Sequence, residues 1–178
     1  MGTPASTWER CVEFHGHACP GLAIGVKACE AAMTRLGLAF AADEEVVCVA
    51  ENDACGVDAV QVLTGCSVGK GNLILKNTGK MAFSFFCRSR EAGVRLVFKK
   101  PINREGMDRA AVQQYILAAP VEELFDFKTP GYAPPEKARL FASIVCEQCG
   151  ENCAEHCGRL HEGKKLCLDC FAQYSRGW

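Results

Sequence analysis

Cys146-Glu147-Gln148-Cys149-Gly150 and Cys167-Leu168-Asp169-Cys170 are two Cys-x2-Cys pairs separated by seventeen residues. That spacing falls inside the four-cysteine metal pattern, because two thiolates two residues apart can face one ion from a tight turn. Gly150 lets the backbone bend around the first pair, and Glu162-Gly163-Lys164 suits a hairpin turn between the pairs. Cys167 and Cys170 then open an expected helix over 168–175, whose N-terminal dipole favours thiolate. Knuckle, hairpin and ligand-bearing helix together predict a treble-clef finger holding one structural Zn2+ through Cys146, Cys149, Cys167 and Cys170. Cys153 and Cys157 are extra thiols that could compete as ligands, and an iron–sulfur cluster is the alternative occupant. His156 and His161 are candidate substitute ligands but read rather as ordinary surface histidines.

Upstream, Lys128-Thr129-Pro130-Gly131-Tyr132-Ala133-Pro134-Pro135 reads as a linker, since three prolines and a glycine oppose regular structure. A short helix is expected over 136–143. The chain therefore divides into a core domain at 1–127, a linker and short helix at 128–143, and the finger at 144–178. In the core, Leu22, Val26, Cys29, Met33 and Leu36 recur at helical spacing, predicting a helix over 20–36 with Pro20 at its start and Gly37 at its stop. Strands are expected at 46–50, 73–77, 81–87 and 93–99, and helices at 57–63 and 107–118. A helix, a strand, a helix and then a meander of strands predict an α+β core with a mostly antiparallel sheet and flanking helices.

Chemistry-bearing residues gather in three core segments. In His15-Gly16-His17-Ala18-Cys19-Pro20-Gly21, Cys19 caps the expected helix, where the dipole lowers a thiol's pKa, and Gly16 frees the turn to aim two imidazoles. The plain alternative is that His17 and Cys19 simply cap and pack. Glu51, Asp53, Cys55, Asp58 and Gln61 form a second group, with Asp58 suited to hold an imidazole. The third, Gly65-Cys66-Ser67-Val68-Gly69-Lys70-Gly71-Asn72, fails as a phosphate loop: its spacing is one residue short, and Gly71 stands where a magnesium-binding hydroxyl belongs. Its backbone N–H groups and Lys70 could still hold a small anionic ligand.

These segments, in this order and with this finger behind them, resemble the FmdE family of formylmethanofuran dehydrogenase components and their relatives. The matching stretches are His15 to Gly25, Cys55 to Gln61, Gly65 to Asn72 and Gly79 to Phe83. The resemblance implies an α+β core, an auxiliary treble-clef finger, homodimers, and association with one-carbon metabolism and molybdenum or tungsten redox enzymes. It marks His15, His17, Cys19, Cys55, Asp58, Gln61, Cys66, Lys70 and Asn72 as the shared polar positions. Ser67 departs from it, standing where threonine is expected.

Two readings follow. In one, His17 and Cys19 converge with Cys55 or Cys66 on a second, core metal ion, and the chain is an accessory or catalytic component of that redox metabolism. In the other it is a non-catalytic docking subunit of a larger redox complex, with the finger as contact surface. A net charge of −1 and a finger without basic excess argue against nucleic acid as partner. No apolar stretch is long enough for a bilayer span. With no export signal apparent, the thirteen cysteines are expected to be reduced thiols of a cytoplasmic protein.

Overall fold

Val46–Ala50 (β1) is buried along its whole length, because it lies inside a sheet covered on both faces. The structure, a computed structural model, describes residues 6–99 and 105–177. β1 runs parallel to Leu73–Leu75 (β2) and antiparallel to Ala82–Cys87 (β3). Ala92–Phe98 (β4) and Phe125–Lys128 (β5) extend the sheet antiparallel, in the order β2-β1-β3-β4-β5. The sheet is thus mostly antiparallel, as the meander suggests, with one parallel pair at its β2 edge.

Alternation divides the two faces. Val46, Cys48, Ala50, Phe83, Phe85, Val94 and Leu96 enter the main core. There they meet Thr7–His15 (α1), Pro20–Leu36 (α2), Gly56–Thr64 (α3) and Arg109–Ala118 (α4). A single turn, Val121–Leu124 (α5), precedes β5. Val47, Val49 and Phe86 point the other way and are covered by Ile74 and Tyr132. The Tyr132 hydroxyl donates to Ser84 Oγ at 3.0 Å, and Lys76 Nζ lies 4.9 Å from the Tyr132 ring centroid. The proline-rich segment is therefore tied down at Tyr132.

Helix α1 is absent from the sequence expectations, although its signal is present. Ser6 and Glu9 form a capping box, with Glu9 N–H donating to Ser6 Oγ and Ser6 N–H to Glu9 Oε2. The helix expected over 136–143 does not form, and residues 133–142 lack regular structure. Pro134 and Pro135 oppose a helical entry, and the Ala138 N–H that a helix would need is donated to the Glu44 carboxylate at 3.2 Å.

Helices α2 and α3 cross at glycine. A Cβ on Gly25 would stand 2.3 Å from Gly56 O and 2.5 Å from Gly56 Cα, so backbone touches backbone there. A Cβ on Gly21 would meet Cys55 Cβ at 3.2 Å. No larger residue at 25 preserves this approach. Among the described residues, no helix is long and apolar enough to cross a membrane.

A separate compact unit begins at Arg139. It consists of two hairpins: Ser143–Val145 (β6) with Asn152–Ala154 (β7), and Arg159–His161 (β8) with Lys164–Leu166 (β9). Glu162 and Gly163 both take positive φ, 48° and 79°, as the tight β8–β9 turn demands. The helix expected over 168–175 is absent: a turn at 168–170 is followed by irregular chain. Eight residues form a marginal helix unless a face is packed. Here Leu168 and Tyr174 are 50% and 82% exposed, leaving Phe171 to join the small core.

The core generates two stability predictions. Gly25→Ala must force α2 off α3 and should cost about 3 kcal/mol in denaturant unfolding, whereas Gly69→Ala, with nothing within 4 Å of the added carbon, should be near neutral. The second concerns Glu51, whose buried carboxylate takes hydrogen bonds from Arg95 Nε at 2.5 Å and Nη2 at 2.8 Å. The Arg95 hydrogen bond holds the Glu51 carboxyl below its ordinary value. A carboxyl lowered on folding stabilises fully above its unfolded pKa of about 4.3, and that stabilisation fades as pH falls through the lower folded value. Glu51→Gln should therefore cost about 2 kcal/mol at pH 7, and the difference from wild type should shrink below about pH 4 in chemical denaturation series.

Candidate metal centres

The C-terminal centre is built by the two hairpins. Each Cys-x2-Cys turn closes in the same way, with Gly150 N–H donating to Cys146 O at 2.9 Å and Phe171 N–H to Cys167 O at 3.0 Å. Gly150 supplies the positive φ, 78°, that ends the first knuckle. The four sulfurs of Cys146, Cys149, Cys167 and Cys170 all lie within 4.8 Å of one another. With zinc–sulfur bonds of about 2.3 Å, a tetrahedral set of thiolates has edges of about 3.8 Å, and Cys149 Sγ stands 3.9 Å from Cys167 Sγ. The donor set and its spacing fit such an ion.

Electrostatics favours the same use. Backbone N–H groups of Cys149, Cys167 and Gln148 draw the Cys146 thiol down to about 6. Hydrogen bonding to Cys167, then burial, pushes Cys170 up to about 12. One thiolate forms readily while Cys149 and Cys170 resist following, the condition that a divalent cation relieves by displacing the remaining protons. Cys153 packs beside this cluster without joining it, its thiol raised by burial. Cys157 is engaged with the His156 imidazole, Sγ to Nε2 at 3.3 Å.

The core centre lies where three elements end. His15 is the last residue of α1, terminated by Gly16 at φ 87°. Cys19 caps α2, its Sγ accepting from Leu22 N–H at 3.3 Å. Cys55 stands at the start of α3. His15 Nδ1 is 2.7 Å from Asp58 Oδ2, and Gln61 Nε2 donates to Asp58 Oδ1 at 3.3 Å. With the carboxylate accepting at Nδ1, the other nitrogen is left as acceptor or ligand, and Nε2 lies 3.8 Å from Cys19 Sγ. The His17 ring sits 4.4 Å from that of His15. Ligand atoms of His15, His17 and Cys19 all lie within 4.8 Å of one another, with His17 exposed and Cys19 buried. Three N/S donors with one open side suit a tetrahedral ion that keeps a position for another ligand.

The structure sorts the remaining expected positions. Cys55 is half-buried beside Cys19 and outside the three-donor group. Cys66 points into the interior instead, its thiol donating to Val46 O at 3.5 Å and raised by burial. Lys70 Nζ donates to Ala41 O at 2.8 Å, so its ammonium is held by the loop before β1. Asn72 is fully buried and bonds Ser67 N–H, Asp43 O and Val46 O. These last three hold loops in place around β1. Sequence reasoning passes over Gly21, Gly25 and Gly56 as site-forming residues, although the four-residue spacing of Gly21 and Gly25 puts them on one helix face. An open groove of about 640 Å³ lined by Arg10, Met33, Phe40 and neighbours includes none of the Cys/His donors.

Comparison with known proteins identifies the family and the fold. Residues 14–126 match the family described as "FmdE, Molybdenum formylmethanofuran dehydrogenase operon". A protein of Archaeoglobus fulgidus, described as "Probable S-adenosyl-L-methionine-binding protein", is 33% identical over 93% of this chain. The chain spans about half of that relative, 52% of its length. The crystal structure of a tungsten formylmethanofuran dehydrogenase FmdE-like protein from Syntrophus aciditrophicus superposes with a TM-score of 0.69 at 24% identity. That match covers 91% of this chain and 88% of the other, and it shows a shared fold. A core domain matched over most of its length, with His15, His17, Cys19, Cys55 and Asp58 inside the matched region, places this chain in the FmdE family.

Proposed function

We propose that this chain is a metal-binding component of one-carbon redox metabolism associated with molybdenum or tungsten enzymes, with one metal site in the core and a structural zinc in the C-terminal unit. The observation that carries the core site is the convergence of His15, His17 and Cys19 donors, with Asp58 fixing the His15 ring. The family's operon association supports the metabolic setting. His15 Nε2, His17 and Cys19 would hold the ion, which would supply Lewis acidity at its remaining position. Asp58 and Gln61 orient His15, and Leu22 N–H in the first turn of α2 donates to the Cys19 sulfur. Buried Cys146 and Cys167, linked by the Cys167 N–H donation to Cys146 Sγ at 3.3 Å, support the structural role of the second site. A cytoplasmic, homodimeric protein is part of the same reading.

A docking role is the second reading, favoured by the apolar side chains that the C-terminal unit leaves exposed: Val145, Leu160, Leu168 and Tyr174. In it the zinc unit is the contact surface for a larger redox complex.

Metal analysis of anaerobically purified full-length protein should find about two ions per chain. Cys146→Ser with Cys149→Ser should remove one, and His15→Ala with His17→Ala the other. A wild type with one ion, lost only with the C-terminal thiols, would contradict the core site. Affinity capture from the native host should recover a molybdenum or tungsten redox enzyme. Recovery of the chain alone would count against association with such a complex.

A further inference from the structure

The seven core thiols are unequal. Cys11, Cys29, Cys48 and Cys66 are fully buried among apolar side chains, and burial raises each of them, Cys11 to about 11. Such thiols are inert. Burial raises Cys55 as well, and what sets it apart is its position, half-buried and reachable from solvent. It is also the immediate neighbour of Cys19. A Cβ on Gly21 would lie 3.4 Å from Cys55 Sγ and 3.9 Å from Cys19 Sγ, so both sulfurs flank the same glycine. Each thiol belongs to the N-cap residue of a helix, and the Gly25–Gly56 contact holds those helix starts together.

Cys55 stays outside the group of mutually close donors formed by His15, His17 and Cys19. It is therefore placed against Cys19 rather than in the preformed ligand cluster. One accessible thiol beside one buried thiol, with a glycine where a side chain would part them, is the layout of an attacking and a resolving cysteine.

We propose that Cys19 and Cys55 form a redox-active dithiol that exchanges with an external disulfide and closes as an intramolecular bond. The Cys55 thiolate attacks one sulfur of the acceptor R–S–S–R, forming a mixed disulfide and releasing RS−. The Cys19 thiolate then attacks the Cys55 sulfur, the Cys19–Cys55 bond forms, and the second RS− departs. Two electrons pass from the pair to the acceptor, and the two thiol protons end on the two released thiolates. Because the closed pair removes Cys19 as a thiolate, oxidation and occupation of the core metal site exclude one another. This linkage rests on the proposed core site, whereas the dithiol chemistry does not.

The test uses full-length protein, as purified and after dialysis against a chelator. Each sample is treated with oxidised glutathione, alkylated and mapped by mass spectrometry with fragmentation to assign the linked residues. The expected result is a Cys19–Cys55 linkage with loss of two alkylatable core thiols, reversed by dithiothreitol and faster after chelation. Cys19→Ser should stall with glutathione on Cys55, and Cys55→Ser should leave Cys19 unmodified. Should a variant fail to fold, the wild-type map decides alone. Glutathione retained on wild-type Cys55 without linkage, or both thiols still alkylatable under excess oxidant after chelation, would overturn the proposal. Metal content read on the same samples separates the two ideas: a disulfide formed in protein that never held a core ion would sink the metal site and leave the dithiol standing.

Discussion

The backbone contact between Gly25 and Gly56 is the constraint on which the core centre depends. It lets α2 and α3 approach without intervening side chains, so Cys19 and Cys55 at their starts become neighbours. From there the arrangement is local. Gly16 ends α1 just as His15 is delivered, His17 follows on the short connection, and Asp58 projects from the first turn of α3 to meet His15. An added methyl at residue 25 would separate the elements that carry the donors. The glycines are thus as much a part of the centre as the imidazoles.

The second centre depends on nothing so distant. Its four sulfurs come from two turns of the same kind, each closed by its own backbone hydrogen bond, and the hairpins bring those turns together. Cys146 and Cys167 with Leu166 make a core of three buried residues. So little apolar surface gives little stabilisation, and units of this size fold with a metal's help. The core domain, by contrast, has a large apolar interior and can hold its Cys/His cluster without an ion to organise it.

Much of this is legible in the residues, and the reasons differ by element. Helix 20–36 and strand 46–50 are readable with their observed bounds, because apolar periodicity and flanking Pro20 and Gly37 state them plainly. The two cysteine pairs declare themselves by spacing. The helices expected over 136–143 and 168–175 fail because propensity cannot outweigh competing contacts: Glu44 claims the Ala138 N–H, and the tail offers no packed face. Helix α1 is easily passed over, although Ser6 and Glu9 announce it. Cys66, Lys70 and Asn72 look like a binding loop because their residue types suit one, yet their side chains are spent on carbonyls of the 41–46 segment. Only the fold shows which polar side chains are already satisfied.

Two chemically different metal centres, one of sulfur alone and one of mixed nitrogen and sulfur, are what most sharply distinguishes the proposed reading of this FmdE-family chain. X-ray absorption at the zinc edge on zinc-loaded full-length protein tests this most directly. The predicted spectrum has a nitrogen or oxygen shell beside the sulfur shell, with that lighter shell lost on combined His15→Ala and His17→Ala substitution while the sulfur shell persists. A spectrum of sulfur ligands alone, unchanged by the histidine substitutions, would contradict it.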